Sequence, residues 1–593
     1  MARLDPHSYA DLDQGRIARL DLVLAADFGA RVLSGTVALH LAAPASGGPL
    51  DLDTRDLAIE RVTSPGGAAL PHVLHPAEPI LGQRLTVELP AGATGLVVTY
   101  RTSPDASALQ WLAPEQTSGG EHPFLFSQCQ AIHARSVVPL QDTPRARVTY
   151  QATLEAPEPL RAVMAAAMDG PGPGSAPGTR AWRFHMPQPI PPYLLALAVG
   201  HLDEAGLGPR SSVYAEPEVL ARAAWEFAEV EAMIRGAEAL YGPYPWDRFD
   251  LLLMPPAFPY GGMENPRLTF LTPTLIAGDR SQVNVVVHEL AHSWSGNLVT
   301  NADMEHFWLN EGFTVYAERR ILEALEGPEL AALQATVGRN TLQREVDRIG
   351  AGSPLTQLRT HLAGVDPDEA FSQVPYEKGF LFLALLERTV GRPRFDAFLR
   401  RYLDAFRFQS ITTETFCAFL EAELPGALAQ VDGPRWLHQP GIPDNEPRFQ
   451  SARRDAVAAL AAAWAAGARP DPEVARRWSP EEWLIYLQGL PATLAVADCE
   501  VLDRQFQLSG QGNAEILGAW LTVAAASGHE PAILAALAFV GRMGRMKFLK
   551  PLYRALASCP AARDQALARF EAVKHTYHPI ARMVVQSTLR AAT

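Results

Sequence analysis

The sequence predicts a multidomain α+β protein: an N-terminal saddle-like β-sheet domain, a mostly helical middle domain and a C-terminal helical domain of α-solenoid type. Three observations predict it. Short alternating apolar runs punctuated by turns fill residues 1–200, and long helical patterns mixed with Pro/Gly-rich loops fill 201–438. After a Pro-rich linker at 439–450, Ala-rich helical segments with Gly, Pro or Asp breaks run over 451–593.

In the first region Arg16–Leu24 sets Ile17, Leu20, Leu22 and Leu24 against Arg16, Arg19 and Asp21. Similar runs at Thr36–Leu41, Arg84–Leu89, Leu96–Tyr100, Ala146–Leu154 and Ala181–Phe184 predict strands, and the clusters Ala45–Pro49 and Asp169–Gly178 predict turns between them. In the second region Val219–Tyr241 predicts one long helix, Leu251–Leu253 a buried strand and Pro255–Pro266 a loop. Two helices are predicted at about Arg280–Trp294 and Met304–Leu325, with Asp279 and Gln282 as a capping box for the first. A separate small β module before the linker stays open. The string Trp436–Pro447, which overlaps the linker, carries three prolines and a glycine; beyond it Ala452–Ala466, Pro480–Leu490, Ala514–Ala526 and Pro531–Val540 read as short antiparallel helices.

The chain has 593 residues, and 51 basic against 65 acidic side chains give a net charge of −14. With 48% hydrophobic and 20% charged residues it is ordinary globular material, not a disordered or fibrous chain. The acidic balance disfavours nucleic acid as the main partner. The four cysteines form no C-x-x-C pair and no disulfide framework. No apolar h-region opens the chain, and its longest apolar stretches, such as Ala456–Ala468, fall short of a membrane span. The expectation is a cytoplasmic monomer without membrane contact. Only four lysines occur (Lys378, Lys547, Lys550 and Lys574), which makes each of them worth attention.

The chemistry concentrates in Val287-His288-Glu289-Leu290-Ala291-His292. On a helix, residues four apart share a face about 6 Å apart, so His288 and His292 can bind one metal while Glu289 reaches a water beside it. Residue frequencies give roughly 0.02 accidental matches to this pattern in such a chain. The neighbours Val285, Val286, Val287, Leu290 and Ala291 imply a buried helix, where paired histidines need a reason. Glu311 follows His292 by 19 residues on the next predicted helix. Two histidines and one glutamate leave a position open for water, the mark of a catalytic zinc site. The second string is Pro259-Tyr260-Gly261-Gly262-Met263-Glu264-Asn265-Pro266, where glycines permit close approach of a ligand and a carboxylate can pair with an ammonium.

These strings resemble the M1 family of zinc aminopeptidases, and more closely its leukotriene A4 hydrolase / aminopeptidase B branch. Asp5–Ala10, Ser127–Arg135, Val138–Pro144, WLNEGFTVY, Val374–Gly379 and Gly544–Phe548 carry that likeness along most of the chain. The resemblance implies a thermolysin-like middle domain, one Zn²⁺ per chain on His288, His292 and Glu311, and short peptides with a free N-terminus as substrates. Glu289 would be the general base acting on the zinc water, and Tyr376 would donate to the oxyanion. Glu264, helped by Gln130, would hold the substrate ammonium, and Gly261 and Gly262 would pair with its backbone. Pro259, Tyr260, Met263, Gln128 and Cys129 would complete the substrate pocket. Arg545 and Lys547, flanking Met546, would bind the carboxylate end of short peptides. Asp368 matches an acid that the branch associates with epoxide hydrolysis, but Phe371 stands where epoxide hydrolases of the family carry tyrosine. The expectation is therefore an aminopeptidase, with a bifunctional aminopeptidase / fatty-acid epoxide hydrolase as the alternative. A peptide-binding scaffold without catalysis is disfavoured, because every catalytic position is retained.

Overall fold

The computed structural model describes residues 3–592. The N-terminal region is built on a seven-stranded sheet ordered Ala167–Pro173, Thr179–Ile190, Val148–Pro157, Ile17–Asp27, Val32–Leu41, Gly95–Arg101, Ala58–Thr63. Ile17–Asp27 runs parallel to Val148–Pro157 (Leu20 opposite Tyr150) and antiparallel to Val32–Leu41 (Leu20 opposite Leu39). The alternation that predicts the first strand has a direct cause: Leu20, Leu22 and Leu24 are buried. A three-stranded sheet and a four-stranded sheet complete the region. The cluster Asp169–Gly178 is not all turn, since Ala167–Pro173 forms a strand. It sits at the sheet edge, where a proline costs no ladder hydrogen bond.

Between Gly200 and Asp203 the chain passes from the four-stranded sheet into a five-stranded one, ordered Asp203–Gly208, Ser211–Ala215, Asp250–Leu253, Leu268–Leu271, Gly262–Met263. The last is a two-residue edge strand antiparallel to Leu268–Leu271, with Gly262 opposite Leu271. The stretch 219–241 is two helices, Pro217–Glu226 and Val230–Tyr241, not one. The helix after Arg280 is shorter than its pattern suggests, Asn284–Ala291. The capping box does not form: Asp279 accepts from the Ser281 amide instead, and no side chain caps the helix. Helices Trp308–Glu326, Pro328–Ile349 and Val374–Val390 follow. Between Val374–Val390 and the linker the only strand among the described residues is Gln409–Ile411, which pairs with Val299–Asn301, so no separate β module forms there.

Residues 439–451 carry no helix or strand but are pinned, with Arg339 donating to Glu446 at 2.7 and 2.9 Å. Beyond them Ala452–Ala462, Pro480–Gly489, Ala514–Ala526, Met546–Ser558 and Pro579–Ala592 pack in sequence as one layer. Glu530–Val540 and Arg563–Val573 back them in a second layer. These helices enclose their own apolar core, from Val457 to Leu589, while the first two regions share another. Cys129, Cys499 and Cys559 are buried, and all four cysteines are free.

Candidate active site

The helix Asn284–Ala291 presents His288 and His292 on one face, with their Nε2 atoms 3.2 Å apart. Glu311, in the first turn of Trp308–Glu326, brings Oε2 to 3.6 Å from His288 Nε2 and 3.5 Å from His292 Nε2. Tetrahedral zinc with bonds of about 2.0–2.1 Å separates its donor atoms by about 3.4 Å, so the triangle matches zinc. Glu311 Oε2 is buried without a hydrogen-bond partner, an orphan that a cation would satisfy. Outer partners hold both rings with Nε2 inward. His288 Nδ1 donates to Glu318 Oε2 (2.9 Å), and His292 Nδ1 donates to the Ser295 carbonyl (3.1 Å) beside the Thr314 hydroxyl.

Electrostatics point the same way. Burial opposes the imidazolium of His292, yet the charges of Glu311 and Glu264 overcome it and raise its pKa to about 9. Burial likewise opposes ionisation of Glu311, and His292 and His288 outweigh it, holding the carboxyl near 2. Without metal the pocket thus draws protons onto its histidines; a dication supplies the same positive charge in place. Glu264, Glu289 and His292 form a second set with donor atoms within 4.8 Å of one another. We favour the His288–His292–Glu311 set, because its three atoms are near-equidistant and its histidines are oriented from behind.

Glu289 lies against the glycine strip. A Cβ on Gly262 would stand 2.2 Å from Glu289 Oε1, so a side chain there would displace that carboxylate. Burial raises the Glu289 pKa to about 7. Glu264 is only 4% exposed, and burial raises its pKa above the usual carboxylate range. Gln130 Nε2 donates to its Oε1 at 3.4 Å, and Asn297 fixes its backbone carbonyl at 2.7 Å. Tyr376, in the first turn of Val374–Val390, lies near-parallel to His288 with ring centroids 6.2 Å apart. Burial, then the neighbouring carboxylates, keeps its phenol protonated.

Of the remaining expected residues, Gln128 donates to Met263 Sδ at 3.1 Å, and the carbonyl of Pro259 accepts from the Met546 amide at 3.2 Å. Tyr260 packs edge-on against Phe258. The Cys129 side chain is buried in the apolar core. Arg545 is buried, donates to Thr274 Oγ1 at 2.8 Å and lies against Gly261, where a Cβ would meet its Nη2 at 2.9 Å. Lys547 is more exposed and pairs with Glu515 at 2.7 Å. Phe371 is 49% exposed beside Phe307 and Tyr376, and Asp368 pairs with His133 at 2.8 Å. Sequence reasoning misses Glu318, Glu515 and His133. Glu318 had a signal, since it stands seven residues after Glu311 on the same helical face.

Comparison with known proteins agrees. Residues 6–194 match the Peptidase M1 N-terminal domain, 225–433 the Peptidase family M1 domain, and 478–589 the C-terminal domain of leukotriene A4 hydrolase. The chain is 40% identical to leukotriene A-4 hydrolase of Xenopus laevis over 99% of both chains. It is 39% identical to leucine aminopeptidase 2 of Aspergillus niger, covering 91% of this chain and 90% of that one. Among solved structures, yeast LTA4 hydrolase in complex with bestatin superposes with a TM-score of 0.91 at 35% identity, covering 99% of this chain and 97% of that one.

Proposed function

This chain belongs to peptidase family M1, in the branch with a leukotriene A4 hydrolase C-terminal domain, and on that footing we propose how its own residues carry out zinc aminopeptidase chemistry. His288, His292 and Glu311 hold one zinc ion per chain. Bound there, zinc supplies Lewis-acid polarisation and lowers the pKa of water toward about 7.

Glu264 receives the substrate's α-ammonium, with Gln130 steadying the carboxylate. An arriving cation offsets the burial that otherwise favours the neutral acid, so ammonium and carboxylate ionise together. The edge strand Gly262–Met263 offers free backbone groups to the substrate, and Gly261 keeps that lane clear of side chains. Glu289 takes the proton of the attacking water and delivers it to the leaving amine, a task suited to a carboxyl near neutrality. The Tyr376 hydroxyl donates to the oxyanion that develops at the scissile carbonyl. Arg545 and Lys547 receive the C-terminal carboxylate of short peptides.

The observation that carries this reading is the position of Glu264. A buried carboxylate whose oxygen lies within 4.8 Å of donor atoms of Glu289 and His292 leaves room for one residue before the scissile bond. That geometry makes an exopeptidase. Glu289→Gln should retain zinc by elemental analysis while kcat falls by about 10²–10⁴. Turnover close to wild type in that variant overturns the mechanism.

Fatty-acid epoxide hydrolysis comes second. Phe371 offers no hydroxyl, and Asp368 is taken up by His133. Incubation with the lipid epoxide decides it.

A further inference from the structure

A cleft of ≈ 560 Å³ separates Pro328–Ile349 from Pro480–Gly489, Ala514–Ala526 and Met546–Ser558, and of its lining the reaction above uses Lys547 alone. Its walls are largely apolar, with Leu487, Ala519 and Phe548 among them, and its rim carries Arg344, Lys547 and Arg554. One acid, Glu515, lines the cleft, and that carboxylate is already shared by Lys547 at 2.7 Å and Arg545 at 3.6 Å. Arg554 is exposed and enters no ion pair among the described residues. Lys547, Lys550 and Arg554 follow one another at i, i+3 and i+7, a single stripe along their helix. Two of the four lysines in the chain thus stand on this stripe, in a protein whose net charge is −14.

The cleft adjoins the site through side-chain contacts. Glu515 belongs to the cleft and touches Arg545, and Arg545 touches the Gly261 strip. It therefore begins where the anchor for a short peptide's carboxylate ends. A peptide too long to end at Arg545 has to continue past Lys547, advancing roughly 3.3 Å per extended residue. The surface it meets there is apolar beneath and cationic above.

We propose that this cleft receives the downstream half of longer peptide substrates and selects apolar residues followed by an acidic group. The inference rests on the aminopeptidase reading and extends its substrate class from tripeptide-sized molecules to extended acidic peptides. Basic downstream segments are disfavoured, because Arg344, Lys547 and Arg554 would face like charge without a compensating acid.

The test compares a tripeptide, Leu-Ala-Ala, with a heptapeptide, Leu-Ala-Ala-Leu-Leu-Glu-Glu, on the zinc-loaded full-length enzyme. Two variants are used: Arg554→Glu reverses the exposed rim charge, and Ala519→Trp fills the cleft. Both should leave kcat/KM for the tripeptide within twofold of wild type, which also shows that each variant is folded. Both should lower kcat/KM for the heptapeptide at least tenfold, chiefly through KM. Equal effects on the two peptides, or none on the heptapeptide, overturn the cleft while leaving the aminopeptidase reading intact. A wild-type enzyme that cleaves neither peptide overturns both.

Discussion

Glu318 touches no substrate, yet it holds the His288 ring with Nε2 toward the metal position. Burial works against the His288 imidazolium, and Glu311 and Glu318 together overcome it. Such an outer partner typically contributes 10–100-fold in metal affinity. Glu318→Ala should therefore weaken zinc binding by about that factor in a chelator competition, while excess zinc restores most turnover. Unchanged affinity would show that His288 is oriented by its helix alone. At this scale the meeting of His288, His292 and Glu311 is legible in sequence, because helical periodicity makes their spacing a statement about geometry. The helical spacing of Glu318 from Glu311 is masked, since Glu318-Arg319-Arg320 reads as an ordinary solvated charge run. Only the fold shows that these three side chains turn inward, with Arg319 on Glu377 and Arg320 on Asp396.

The helices Trp308–Glu326 and Val374–Val390 bring Glu311 and Tyr376 together, and two glycines set their separation. A Cβ on Gly379 would stand 2.7 Å from Gly312 Cα, backbone against backbone, with no flexible side chain to yield. Gly379→Ala should push the helices apart, costing about 1–3 kcal/mol in thermal denaturation. It should also lower kcat more than it raises KM, since Tyr376 moves with its helix; wild-type kinetics would refute this coupling. Elements are legible where pattern and environment agree, as in Ile17–Asp27. They are misread where the breaks carry no chemical signal. Phe227-Ala228-Glu229 interrupts the helical stretch 217–241 without glycine or proline, and sequence alone gives no reason to stop there. The strand at Ala167–Pro173 is hidden for the opposite reason, because its glycines and prolines are tolerated only at an edge.

The molecule as a whole has two apolar cores, one shared by the first two regions and one enclosed by the C-terminal helices. The second contains an acid-sensitive point. His578 is buried there, and desolvation, reinforced by Arg582, lowers its pKa to about 4. Between about pH 4 and 6.5 the unfolded chain then binds more protons at this residue than the folded one. Stability is thus complete above about pH 6.5 and declines as pH falls toward 4, by up to about 3 kcal/mol. In His578→Gln the melting temperature should depend less on pH across that window; an unchanged dependence would place the sensitivity elsewhere. Among the described residues no helix is long and apolar enough to cross a membrane. The domain order is readable from composition and periodicity. The meeting of distant segments is not, because Arg545 and Gly261 lie far apart along the chain and nothing local to either announces the other.

That meeting has a consequence in time. The proposed zinc ligands end at Glu311, but the wall that Arg545 and the Met546 amide build against Gly261 and Pro259 comes from a much later stretch of the chain. During synthesis His288, His292 and Glu311 emerge more than 200 positions before that wall does. The growing polypeptide therefore holds the three proposed metal ligands before it holds the structure that measures a substrate's length. Selectivity is the last property the ribosome delivers.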